Sequence, residues 1–253
     1  MPTELARGPW DPDSLHGGPI AALVARDMET AMPQRLFARI TFEFLRPAPL
    51  VPLAVQTTVV QEGRSVAWLR GTVSTDSRIV ATASGVALRR RSVDLPVAEE
   101  NTRREGEPRM LPSPQAGRRS PDPPQGRYPA FHNTGMEVRF VEGSLVEPGR
   151  SIAWFRLAVP LLVGETPSPL VRVAAGADFS NGASSILPWE HYTFINPDLT
   201  IYLHREPVGE WVGLDAVTKP GPDTTGIAES HLYDEQGPIG VTLQSVLLDP
   251  WEV

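Results

Sequence analysis

Two stretches of the chain carry one pattern at a fixed separation. "FEFLRPAPLVPLAVQTTVV" (Phe42–Val60) and "TIYLHREPVGEWVGLDAVT" (Thr200–Thr218) each pass from an alternating apolar run through a leucine, a basic residue and a proline into a second alternating run. A shift of 158 positions superposes them, carrying Leu45 onto Leu203, Arg46 onto His204 and Pro49 onto Pro207. Each is followed by two further runs around a polar turn, at Asp76–Ser77 in the first and Asp234–Gly237 in the second. Period-two alternation broken by polar turns predicts antiparallel hairpins. The chain is therefore expected to fold as two similar halves.

Each half places one apolar helix ahead of its strands. In "HGGPIAALVARDMETAM" (His16–Met32), Ile20, Leu23, Val24, Met28 and Ala31 share one face, with Ala21, Ala22 and Ala25 beside it. Pro19 suits the first turn, where its missing N–H costs nothing. In "PSPLVRVAAGADFSNGASS" (Pro167–Ser185), Leu170, Val173, Ala174 and Ala177 do the same with smaller residues. Helices this apolar, in a chain with no run of ~18 apolar residues, must be covered by something. Two half-sheets with open edges can supply that cover by joining into one sheet around both helices. The boundaries expected are an N-terminal repeat over 1–95, a Pro-rich linker over 96–129 and a C-terminal repeat over 130–253. Eight of the 27 prolines fall between Pro96 and Pro129, among charges and few apolar residues. Such a segment is expected to be extended or partly disordered.

Composition narrows the function. A net charge of −7 argues against a nucleic-acid partner. The absence of cysteine removes disulfides, thiolate ligands and a cysteine nucleophile. His132, His191 and His231 lack metal-ligand spacing, and no G-x-S-x-G elbow or nucleotide-binding glycine loop occurs. The N-terminus shows no secretory pattern, so a cytoplasmic location without a membrane span is expected.

The phrases "HGGPIAALVARDMET", "RITFEFLRPAPL" and "NPDLTIYLHR", in that order, resemble the thioesterase-like double hotdog superfamily, and within it the acyl-CoA thioesterase II branch. The resemblance implies an α+β fold of two tandem hotdog repeats, their continuous antiparallel sheet wrapped around two central helices. It implies hydrolysis of acyl-CoA to free acid and CoA, a step of lipid metabolism, with acyl-CoA as the partner and no metal or other cofactor. Homo-oligomerisation is left open. The family's water-activating aspartate falls on Asp178 in "ADFSNG" and its glutamine on Gln244 in "VTLQSVLL". Its hydroxyl residue falls on Asn196, a departure; the nearest hydroxyl is Thr200, and on an alternating strand either can face the site.

The residues themselves admit that chemistry. Thioester hydrolysis needs an activated water and donors for an oxyanion. Asp178, set among Ala, Gly and Val, can act as base or simply cap its helix. Gln244 can orient a water with its amide or be an ordinary strand residue. Gly17 and Gly18 let a carbonyl approach free N–H groups at a helix start, with His16 as a donor beside them, or form a plain entry turn. His204–Arg205 reads as structural. Arg46, Arg64 and Arg89–Arg91 are candidate CoA contacts, and Trp68, Phe179 and Trp189 candidate pocket walls. A non-catalytic acyl-CoA binder and a hotdog enoyl-CoA hydratase or dehydratase are the competing readings. The second lacks the catalytic pair, since Phe194 stands where its aspartate belongs.

Overall fold

The computed structural model describes residues 1–76, 78–94, 96, 110–124 and 127–251. The first helix, α1 (Gly17–Ala31), precedes strands β1 (Arg35–Phe44), β2 (Ala54–Glu62), β3 (Val66–Ser74) and β4 (Ile79–Arg89). The second half starts with β5 (Met136–Glu142) and β6 (Ser151–Leu157), for which the first half has no counterpart among the described residues. Helices α2 (Pro169–Ala177) and α3 (Ser180–Ala183) follow, then β7 (Tyr192–Ile195), β8 (Asp198–Leu203), β9 (Val212–Pro220), β10 (Thr225–Asp234) and β11 (Gly237–Pro250).

All strands lie in one antiparallel sheet in the order β2-β3-β4-β1-β8-β11-β10-β9-β6-β5, with β7 paired to the far end of β11. The halves meet at β1 and β8, where Thr41 pairs with Thr200 and Phe42 with Leu199. This is the double hotdog: the inner face of the sheet wraps α1 and α2. Ile20, Ala21, Ala22, Val24, Ala25 and Met28 of α1 are all buried, as are Leu170, Val173, Ala174 and Ala175 of α2. Small residues set the helix separation. A Cβ on Gly18 would lie 2.7 Å from the carbonyl oxygen of Ala175. Larger side chains there would force the helices apart.

The strand registers correct the repeat by one residue. The pair Phe42–Ala83 in the first half corresponds to Ile201–Thr242 in the second, and Ala54–Ser74 corresponds to Gly213–Tyr233. Both correspondences are shifts of 159, not 158. The leucine and proline after the first strand align better at 158, but the inward-facing residues do not. A one-residue slip turns every side chain to the opposite face. At 159, Ile40, Phe42 and Phe44 fall on Leu199, Ile201 and Leu203, and Arg46 falls on Arg205.

Arg205 is structural. Its guanidinium donates to both Asp234 oxygens, at 2.5 and 2.6 Å, tying the end of β8 to the β10–β11 turn. Burial pushes the Asp234 carboxyl up. The Arg205 guanidinium and the backbone N–H groups of Val208 and Gln236 outweigh that, holding it below its usual value.

The described part of the Pro-rich segment is packed rather than loose. Leu111 is 6% exposed, in a cluster with Ile152, Trp154, Trp211 and Tyr233. The carbonyl of Pro112 accepts from Trp154 Nε1 at 2.8 Å, and Arg118 pairs with Phe140 as a one-residue extension of the sheet. Tyr128 donates to the carbonyl of Gly8 at 2.8 Å. Leu111 anchors the segment by entering an apolar cluster of the second half, while Met110 stays exposed. The expectation of an extended segment over 97–109 lies outside the described residues.

Candidate active site

The polar residues singled out near the helix starts and ends converge where α1 begins and α2 stops. His16 is the cap of α1: its extended backbone turns the chain in, and its Nδ1 accepts from the N–H of Gly18 at 3.0 Å. Asp178 is the C-cap of α2, 4% exposed, so the capping and the buried-carboxylate readings describe one residue. Its Oδ2 lies 2.8 Å from His16 Nδ1, and its Oδ1 accepts from Asn196 Nδ2 at 2.9 Å. Gly17 stands directly against it. A Cβ at that position would lie 2.7 Å from Oδ2 and 2.9 Å from Oδ1. A side chain cannot be accommodated there without displacing the carboxylate.

This carboxylate sits at the positive end of a 15-residue helix, whose first N–H groups have no intrahelical acceptors. Helix field and hydrogen bonds together offset the cost of burying it. A carboxylate has about four lone-pair sites, and the two contacts above leave others for a water.

Gln244 is 1% exposed and lies behind the helix break. Its Oε1 accepts from the N–H of Asn181 at 3.0 Å, and its Nε2 donates to the backbone carbonyl of Asp178 at 3.2 Å. It clamps the chain where α2 ends and α3 begins. Thr200 is elsewhere, at the junction of the halves, where its hydroxyl donates to that of Thr41 at 3.1 Å. Of the two candidates for the third position, Asn196 is the one beside Asp178.

A cavity of about 440 Å³ opens onto this cluster. His16, Gly17, Asp178, Asn181 and Asn196 form its polar end, and Trp10, Leu15, Ile20, Phe44, Phe179 and Phe194 its apolar walls. Trp189 also lines it, stacked on Trp10 with ring centroids 4.8 Å apart. Arg46 stands at its edge, whereas Arg64 and Arg89–Arg91 do not line it. Trp68 is exposed on the sheet and takes no part. No sequence pattern points to Trp10 or Asn181. Trp10 precedes the recognisable phrases, and Asn181 lies in "DFSNG" with nothing to separate it from a plain helix end. Among the described residues, no group of His, Asp and Glu side chains is placed to hold a metal ion, and no helix is long and apolar enough to cross a membrane.

A wrapped helix pair with a buried carboxylate against a largely apolar cavity is the arrangement this hotdog fold builds. The acyl-CoA thioesterase N-terminal domain matches residues 6–88 and the acyl-CoA thioesterase C-terminal domain residues 108–248. The chain belongs to the acyl-CoA thioesterase family, whose members are thioester hydrolases acting on acyl-CoA. No curated protein matches it.

Solved structures share the fold at low identity. A conserved hot dog fold protein of unknown function from Alicyclobacillus acidocaldarius is 18% identical with a TM-score of 0.75, over 99% of this chain and 92% of that one. A tesB protein from Mycobacterium avium subsp. paratuberculosis is 17% identical with a TM-score of 0.68, over 96% and 94%. An acyl-CoA thioesterase II, TesB2, from Mycobacterium marinum is 15% identical with a TM-score of 0.67, over 94% and 92%.

Proposed function

We propose that the chain hydrolyses acyl-CoA by direct attack of a water held against the Asp178 carboxylate. The observation that carries this reading is the convergence of His16, Gly17 and Asn196 on that one carboxylate at the polar end of the apolar cavity. The acyl chain lies along Trp10, Ile20 and Phe44, which brings the thioester carbonyl to the start of α1. The water oxygen bonds to the carbonyl carbon as Asp178 takes one of its protons. The displaced electron pair becomes an oxyanion facing the N–H of Gly17 at the positive end of α1. Collapse breaks the C–S bond, and the proton on Asp178 passes to the departing CoA thiolate.

Asn196 occupies the family's hydroxyl position and orients the carboxylate by donating to Oδ1. His16 Nδ1, which accepts from the Gly18 N–H, lies against Oδ2 on the other side. Gln244 acts on the water through Asp178, by fixing the backbone that follows it. Thr200 has no role in this scheme.

The test is thiol release from straight-chain acyl-CoA esters of graded length, with the free acid quantified in parallel. Equal amounts of thiol and acid are expected. Stable binding with no release at any length would establish a non-catalytic binder instead.

A further inference from the structure

The loop ahead of α1 carries one wall of the cavity. Its ends are joined, Arg7 bridging to Leu15 and the N–H of Gly8 donating to the carbonyl of Ser14 at 2.8 Å. The N–H of Leu15 donates to the carbonyl of Ala48 at 2.8 Å, and the carbonyl of Asp13 accepts from Leu50 at 2.9 Å, which ties the loop to the segment after β1. At the tip the Asp11 carboxylate accepts from the N–H of Asp13 at 2.9 Å and from the Ser14 hydroxyl at 2.6 Å. None of these bonds uses the side chain of Trp10, so the frame of the loop does not depend on it.

The Trp10 indole reaches from this loop to the second half of the chain. It stacks on Trp189 and meets the edge of Phe194, with ring centroids 4.8 and 4.9 Å away. Those two rings are held from behind. Both are buried in a cluster with Ala228 and Val246, and Trp189 Nε1 donates to the carbonyl of Leu145 at 2.6 Å. Trp10 is only half-buried and packs against that cluster from the loop. All three rings line the cavity. Removing the indole therefore adds its volume to the cavity, because Trp189 and Phe194 are fixed and do not close the gap. The same loop leads into His16, whose N–H donates to the carbonyl of Ala6 at 2.9 Å and whose ring stands against Asp178. Wall and carboxylate are thus held at a fixed separation, the requirement for measuring a chain between them.

We propose that Trp10 sets the acyl length this protein accepts, its indole stopping the chain whose thioester carbonyl lies at Gly17 and Asp178. The proposal rests on the acyl-CoA reading of the site. Each methylene that the chain buries is worth about fourfold in Kd. That gain ends where the chain meets the indole.

Calorimetric titration of the full-length Asp178→Asn protein with straight-chain acyl-CoA esters from butanoyl to dodecanoyl tests it. Trp10→Ala and Trp10→Phe are each added to that background, with melting temperature checked for both. With Trp10 present, affinity is expected to rise about fourfold per methylene up to one length and to stop rising there. Trp10→Ala should carry the rise to longer chains, and Trp10→Phe, which keeps a smaller ring, should carry it less far. If the alanine variant does not fold, the phenylalanine variant decides. A rise that stops at the same length in folded variants, or that has no stop with Trp10 in place, overturns the proposal. Turnover by the protein with Asp178 intact is measured alongside. Turnover with an unmoved stop rejects the role of Trp10 alone, and a moved stop without turnover rejects hydrolysis alone. No binding at any length rejects both.

Discussion

His16 Nδ1 lies 2.8 Å from Asp178 Oδ2, so the residue that starts the first central helix touches the residue that ends the second. The contact joins the two halves of the chain at the site, and it gives His16 two separable duties. Asn at position 16 keeps an acceptor for the Gly18 N–H, whereas Ala keeps neither the cap nor the partner of Asp178. His16→Ala is expected to lose about 0.5–2 kcal/mol of stability as a cap deletion, and His16→Asn only a fraction of that. Both should lower kcat. Urea unfolding and thiol-release kinetics on the two variants separate the duties.

Gly17→Ala tests the close approach. The new methyl would fall 2.7 Å from Asp178 Oδ2, so the carboxylate must move while the surrounding core is untouched. A displacement near 1 Å can cost on the order of 100-fold in rate. The expected result is a fall of that order in kcat with a cooperative unfolding transition retained.

Gln244→Ala should act first on stability. It strips the partners from the Asn181 N–H and the Asp178 carbonyl, both inside the protein. Each orphaned group costs about 1–3 kcal/mol. Urea denaturation is expected to show a loss of a few kcal/mol, accompanied by lower kcat as Asp178 loosens. Full stability with abolished activity would instead place Gln244 on the water itself.

The Arg205–Asp234 pair sets a pH dependence. The Asp234 carboxyl is held below its unfolded value, so its stabilisation is complete above that value and is lost as pH falls through the folded one. Asp234→Asn leaves the Arg205 guanidinium without its charged partner. It should destabilise at neutral pH by about 1–3 kcal/mol, the worth of charged hydrogen bonds to a guanidinium that stays partly exposed. The difference from the parent should shrink below pH ~4, where the unfolded carboxylate takes up its proton. Urea midpoints across pH for the two proteins measure it.

The sequence makes the broad architecture legible because period-two and helical patterns are local. The hairpin turn at Asp234–Gly237, the buried helix from Gly17 and the apolar segment around Leu170 all lie where pattern places them. Residues 16, 178 and 196 are also recognisable candidates, although only folding shows that they share one carboxylate. The repeat register is less legible. Leu45 and Pro49 match Leu203 and Pro207 at 158, while the face of the sheet that each residue occupies depends on pairing across strands. Gln244 illustrates the same limit. An amide on an alternating strand can face a water or the backbone of a helix end, and spacing alone does not choose. The grip of Leu111 and Pro112 on Trp154 is likewise a tertiary event, invisible in a segment rich in proline and charge.

The central claim is that a water is activated at Asp178, and single-turnover hydrolysis of octanoyl-CoA in ¹⁸O-labelled water tests it most directly. With Asp178 intact, CoA release is expected to match acid formation, with one solvent oxygen in the acid from the first turnover. Asp178→Asn should slow that turnover by about 10²–10⁴-fold, the usual worth of a positioned base. An Asp178→Asn protein that releases CoA at an undiminished rate, or a first-turnover acid without the label, would contradict it.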